Sequence, residues 1–309
     1  MQLQRMLASA AAVAALLLVG LPLAFRASPY WLSVATNANI LGIGSLGLWL
    51  MFSIGRIDIA QGAFCSLGGY ATAILATRYG LSFWLCLPLS ALLAALVAAL
   101  IGLPILRLRG VYFSMITLSL TEVSRLAMLN GGSITGGAEG ITGIPEAPLL
   151  DNALALYLFS ALLVLACAAA IWRISSSRIG DVFRSMRQNE DLAASLGIDV
   201  ACYRVIAFAI ASGMGGLAGS VFAQLQQNIF PNSYTIADSI RFMLNCFLGG
   251  LDYVMGPLVG AYLLGFSFEL LDALQRYQAL LYGILMIVII MFLPNGLLSV
   301  AALTKGRRR

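Results

Sequence analysis

The chain has 309 residues, 61% of them hydrophobic and only 10% charged, against about 25% charged in soluble domains. Its mean hydropathy of +0.93 excludes an ordinary soluble domain and indicates a chain built into a membrane. The net charge of +5 does not point to nucleic acid, because the basic residues fall in loops and at the C-terminus, where membrane orientation accounts for them.

In chain order, continuous apolar runs of about 20 residues predict spanning helices rather than the ten-residue alternation of a barrel. The predicted spans are 6–25, 32–54, 60–78, 83–105, 110–129, 153–173, 201–224, 237–250, 256–272 and 278–298. The first could imitate a signal peptide, with Arg5 before an apolar run, but no A-x-A site follows, so it is read as a span. The eighth and ninth are short, because Gly249, Gly250, Gly256 and Pro257 interrupt the apolar stretch and mark a tight turn or a discontinuous helix. If the N-terminus lies in the cytoplasm, alternation gathers Arg5, Arg56, Arg107, Arg109, Arg173, Arg178, Arg184, Arg187, Arg204, Lys305 and Arg307 to Arg309 on the cytoplasmic side. This predicts an all-α polytopic membrane protein with about ten transmembrane helices and both termini cytoplasmic.

Two connections stand out. Asn130 to Pro148 is glycine-rich, with Glu139 and Glu146 but no Lys or Arg, which suits the non-cytoplasmic side. Arg178 to Asp199 carries Arg178, Asp181, Arg184, Arg187, Glu190, Asp191 and Asp199. Each would cost about 2.5–3.5 kcal/mol at the centre of a span, so this segment belongs in water. Its spacing predicts one amphipathic helix over Asp181 to Leu196. Asp181 would be its N-cap and Gly197 its stop. Arg184, Arg187, Gln188, Asp191 and Ser195 would form a polar stripe opposite Val182, Phe183, Met186, Ala193 and Leu196. Physics alone leaves two uses open: a helix lying on lipid headgroups, or a helix seated in a groove of a cytoplasmic partner.

Chemistry-bearing residues are sparse. There is no histidine, and the five cysteines Cys65, Cys86, Cys167, Cys202 and Cys246 are scattered, so neither a metal site nor a disulfide framework is expected. The only lysine is Lys305, and no G-x-x-x-x-G-K-[ST] occurs, so the chain carries no Walker-type ATPase site. Glu122 and Arg125 lie three apart inside the fifth span and are read as an intramembrane polar pair, either structural or functional.

Five stretches in order resemble one family. They are R-L-R-G-V-Y-F-S-M-I-T-L with Glu122 and Arg125 following, S-I-T-G-G-A-E-G-I-T-G-I-P (Ser133 to Pro145), S-R-I-G-D-V-F-R-S-M-R-Q-N-E (Ser177 to Glu190), E-D-L-A-A-S-L-G-I (Glu190 to Ile198) and G-G-L-D-Y-V-M-G-P-L-V-G-A (Gly249 to Ala261). Together they resemble the LivM-type permease subunits of branched-chain amino-acid ABC importers, with urea-importer permeases as close relatives. Arg56 and Asp58 stand where that family has S-L-G-Q-G, and Asp252 stands where it has Gly.

The resemblance implies a single transmembrane permease domain over 1–309. Within it, 1–30 would be the first span, 130–152 the outer loop, 174–200 a cytoplasmic coupling loop and 299–309 a basic tail. It also implies a bacterial inner-membrane complex of this chain with a second permease, two ATPase subunits holding ATP and Mg, and a periplasmic binding protein. The coupling residues would be Arg184, Arg187, Glu190, Asp191, Ala193, Ala194 and Gly197. Thr135, Gly136, Gly137, Glu139, Gly140 and Pro145 would face the binding protein. The function so implied is ATP-driven import of branched-chain or other hydrophobic amino acids by alternating access, with no enzyme activity or cofactor of its own. The alternatives are a urea or small-amide permease of the same family, or an ion-coupled transporter using Glu122.

Overall fold

A computed structural model describes residues 16–22 and 28–270, with isolated helical positions at 280, 283, 284, 287 and 291. Most of the first and tenth predicted spans, and the basic tail with Lys305, lie outside the described residues. After a short π-helical turn at Leu16–Gly20 come α1 (Pro29–Ser53), α2 (Gln61–Tyr79), α3 (Phe83–Ile105), α4 (Val111–Asn130) and α5 (Ala153–Ser175). Two short helices follow, α6 (Arg178–Gln188) and α7 (Glu190–Ser195), then α8 (Val200–Gln226), α9 (Ile236–Gly249) and α10 (Gly256–Leu270). Strands β1 (Ile141–Thr142) and β2 (Asn228–Ile229) form an antiparallel pair, Ile141 opposite Ile229.

Among the described residues, α1, α3, α5 and α8 are long and apolar enough to cross a bilayer. α8 is central and packs on α1, α2 and α3. Its seam with α2 requires glycine: a Cβ on Gly219 would lie 1.8 Å from the Cys65 carbonyl oxygen, and one on Gly68 would lie 2.3 Å from that of Gly216. Small residues let backbones approach where lipid supplies no hydrophobic drive between helices. α3 shows the complementary face. It buries Cys86, Ser90, Ala94, Ala98 and Gly102 at helical spacing and exposes Leu85, Leu89, Leu92, Leu96, Leu100 and Leu103. In water that leucine stripe would be a liability; in hydrocarbon it is the expected surface.

The eighth predicted span becomes the 14-residue helix α9, and the ninth falls on α10, described over Gly256–Leu270. At 1.5 Å per residue α9 reaches about 21 Å, less than the ~30 Å hydrocarbon core. α9 and α10 pack closely at their junction: Gly249 meets Gly256, and Gly260 meets Asn245, so tightly that a Cβ on Gly249 or Gly260 would fall within 2.0 Å of the facing carbonyl oxygen. The Gly and Pro residues that flagged a break sit at this junction, where Trp49 Nε1 donates to the Leu251 carbonyl at 2.8 Å.

α2 and α9 both begin deep in the bundle. Ile59 N donates to Thr117 Oγ1 at 3.1 Å, and Thr121 Oγ1 donates to the Ile59 carbonyl at 3.0 Å. Ser239 Oγ accepts from Gly62 N at 3.0 Å and lies 3.2 Å from Thr121 Oγ1. Thr121 is about 15 Å along α4 from its start. The extended segment 56–60 therefore runs inward from the end of α1, and the N-termini of α2 and α9 meet beside the middle of α4. Hydroxyls satisfy the backbone groups that no helix does, as non-helical backbone at this depth demands.

Candidate functional site

The charged segment folds differently from the single helix expected. Asn189 adopts an extended conformation (φ −160°) and divides it into α6 and α7. Its Oδ1 caps α7 by accepting from Asp191 N at 3.1 Å and Leu192 N at 3.0 Å. Ser177, not Asp181, caps α6, accepting from Ile179 N at 3.2 Å; Asp181 instead pairs with Arg184 at 2.5 Å. Gly197 ends α7 in the left-handed region, φ +85°. Because the helix restarts at Asn189, its phase resets. Phe183, Met186 and Ala193 are buried as the periodicity predicts, but Leu196 is 75% exposed and Leu192 58%. With exposed Ala194, Ser195 and Gly197 they make an apolar and small-residue patch facing away from the bundle.

Glu190 points the other way. Its carboxylate accepts from Arg56 Nε at 3.2 Å and Nη2 at 3.1 Å, and from Arg204 Nε at 3.2 Å and Nη2. Arg109 Nε approaches it at 3.9 Å, and Arg109 Nη2 donates to Asp191 Oδ1 at 2.9 Å. Arg56 also donates to the Leu108 carbonyl, and Arg204 Nη1 to the Leu106 carbonyl at 3.2 Å. One carboxylate thus joins the α1–α2 linker, the α3–α4 turn, α7 and the first turn of α8. Side-chain exposure is 4% for Arg56, 10% for Arg204 and 18% for Glu190, but 64% for Arg109 and 76% for Asp191. Burial and then the neighbouring Arg204 charge lower the Arg56 pKa, and Glu190 opposes them. Arg109 is held above its usual range by its hydrogen bond to Asp191.

Arg184 and Arg187 stay at the surface. Arg184 Nη1 donates to the Ser175 carbonyl at 2.7 Å, and Arg187 lies 3.8 Å from Asp252 at the α9–α10 junction. Of the predicted coupling residues, Arg184, Arg187, Asp191, Ala194 and Gly197 are exposed, whereas Glu190 and Ala193 face inward. The sequence marks Arg204 only as an orientation charge, and Arg56 as an orientation charge and a departure from the family pattern. The available signals were an arginine in the first turn of an apolar span and the unusual Arg56-x-Asp58.

At the other end of the bundle the glycine loop folds on itself. Thr135 is buried, and its Oγ1 donates to the Met128 carbonyl at 2.6 Å. Gly136 and Gly140 have positive φ and lie against the backbones of Gly140 and Ile229, which brings the loop onto the β1–β2 pair. Thr135, Gly136 and Gly140 therefore shape the loop, while Glu139 and Pro145 are exposed on it. The predicted pair forms: Arg125 Nε donates to both Glu122 oxygens at 3.0 Å, and Arg125 Nη1 to Asn232 Oδ1 at 3.1 Å.

A bundle of apolar helices, four of them among the described residues long enough to cross a bilayer, with a carboxylate-locked helix at one end, has the build of an integral membrane protein. The family described as "Branched-chain amino acid transport system / permease component" matches residues 30–290, and the chain belongs to it. The LivM high-affinity branched-chain amino acid permeases of Salmonella typhimurium and Escherichia coli K12 are each 32% identical over 92% of this chain and 73% of their own length. A LivH permease of Methanocaldococcus jannaschii is 24% identical over 85% of this chain and 90% of its own. No solved structure matches.

Proposed function

We propose that the chain forms half of the translocation path of an ATP-driven importer for branched-chain amino acids in a bacterial inner membrane. It pairs with a second, LivH-like permease, two cytoplasmic ATPases and a periplasmic binding protein. The carrying observation is the division of labour on α7: Glu190 fastens it to three other elements, and Leu192 and Leu196 project from its opposite side. In this reading the exposed patch seats in an apolar groove of the ATPase. Arg184, Arg187 and Asp191 form its rim, and Ala194 and Gly197 permit close approach. ATP-driven closure of the ATPases moves α7, and the path switches between facing the binding protein and facing the cytoplasm, as a two-state element biased by a partner requires. Glu139 and Pro145 contact the binding protein.

The experiment is co-expression with the two ATPases and purification in detergent. Leu196→Glu together with Ala194→Trp should abolish ATPase co-purification while membrane insertion stays normal. Full ATPase recovery with that variant would remove α7 from the interface. Failure of the wild-type chain to retain any ATPase would refute the importer reading.

A further inference from the structure

α4 does not have a lipid-facing surface like that of α3. Its buried side is Phe113, Thr117 and Thr121. Its open side carries Tyr112, Met115, Ser119, Val123 and Leu126, and into this stripe come Glu122, 39% exposed, and Arg125, 23% exposed. Glu122 lies about 17 Å along the helix from its start, near its middle, where an ionised side chain facing hydrocarbon is unfavourable. Ionisable groups at such depth face a bundle interior or a water-filled path.

A cleft of about 390 Å³ opens beside this pair, lined by Leu129, Ala138, Phe230, Pro231, Asn232 and Ser233. That volume is in the range of small-ligand sites, ~300–1,000 Å³. Asn232 belongs to both: it lines the cleft and accepts from Arg125 Nη1 at 3.1 Å. The Phe230 ring is 40% exposed. Glu122 and Arg125 do not themselves line the cleft; Arg125 reaches it through Asn232, and Glu122 stands behind Arg125.

We infer that Glu122, Arg125 and the Phe230–Asn232 cleft form a subsite in the translocation path for a zwitterionic, apolar amino acid. Glu122 receives its ammonium, Arg125 its carboxylate, and Leu129 and Phe230 its side chain. In the empty site each charge of the pair neutralises the other, so neither stands alone in a low-dielectric setting when substrate is absent. When substrate enters, each charge meets its opposite on the ligand, and a solute lacking either charge leaves one member of the pair uncompensated. The inference rests on the importer reading above, and its test is separable from it.

The test uses proteoliposomes holding the whole complex, with binding protein saturated with radiolabelled leucine. Leucine delivered and ATP hydrolysed are measured together. The wild-type complex is read first: absence of leucine uptake would count against the importer reading rather than this subsite. Glu122→Gln and Arg125→Gln should each lower leucine delivered per ATP by about tenfold or more, the scale of one lost charged hydrogen bond, with ATP hydrolysis within about twofold of wild type. The decisive variant exchanges the two charges, Glu122→Arg with Arg125→Glu. It keeps an ion pair but reverses its polarity against the Phe230 wall, so leucine per ATP should remain low. Wild-type coupling in the exchanged variant would show that mutual neutralisation is the pair's whole role and overturn the inference. Failure of the exchanged complex to assemble would assign the pair to packing, and overturn it equally.

Discussion

The molecule contains two groupings of glutamate with arginine, and they are built on opposite principles. At the basic end, Glu190 is held by Arg56 and Arg204, whose side chains are 4% and 10% exposed, and it ties together segments distant in the chain. In α4, Glu122 and Arg125 are i, i+3 neighbours on one helix, remain partly exposed, and reach the cleft only through the Arg125–Asn232 hydrogen bond. The first consumes its charges in holding backbone carbonyls and loops. The second satisfies its charges locally and still presents them. A buried, multiply bonded carboxylate is a fastening; a half-open pair on a single helix constrains almost nothing but itself. Charge inside a membrane protein thus has two readings, and burial together with sequence separation distinguishes them.

The largest expected effect follows from removing the fastening. Glu190→Ala leaves two buried guanidiniums without a counter-charge, and breaking such a pair costs about 3–5 kcal/mol. Purified protein should unfold at markedly lower temperature, and complexes should be recovered poorly. Adding Arg56→Met should restore part of the loss, because the excess positive charge is then halved; a double-mutant cycle on unfolding measures the coupling. Next in size is Asn189→Ala, which removes the cap of α7 and should cost about 1 kcal/mol. Faster amide exchange confined to Glu190–Ser195 would report it, while exchange in α8 stays unchanged.

How much of this was legible in the sequence differs between the two ends. Apolar run length located α1 to α5 and α8 to within a few residues; for α1, α3, α5 and α8 a hydrocarbon slab sets the least length that can cross it. Gly249, Gly256 and Pro257 correctly announced the α9–α10 junction, since close backbone approach leaves a mark in composition. The split at Asn189 was not seen. Periodicity over a short window tolerates a restart, and the Asn189 cap was hidden by the acid and helix-forming residues that follow. The Glu190 cluster was invisible for a different reason. Its members lie 134 and 14 residues apart, and no local pattern records which loops meet. Motif reasoning singled out Glu190, but it could not give the direction of the side chain. The glycine loop was placed outside by its lack of basic residues, while the inward turn of Thr135 depends on the Met128 carbonyl and is written nowhere nearby.

Smaller effects sharpen the contrast. Arg109→Ala removes an exposed partner of Glu190 and Asp191 and should lower stability far less than Glu190→Ala, because exposed ion pairs contribute little. Raising salt should shrink the Arg109→Ala effect, whereas the loss caused by Glu190→Ala should persist, because exposed pairs are screened and buried ones are not. The smallest structural effect belongs to α4. Neutralising both members, Glu122→Gln with Arg125→Gln, removes an i, i+3 pair of the kind that adds little to helix stability and leaves Asn232 free to bond the new amide. Detergent unfolding should scarcely change, and complexes should form in normal yield. If the doubly neutral variant instead unfolds as readily as Glu190→Ala, the half-open geometry has been misjudged and α4 is fastened through this pair after all. If it folds normally, with the new amide keeping the bond to Asn232, a loss of transport it shows comes from what the two charges present rather than from what they hold.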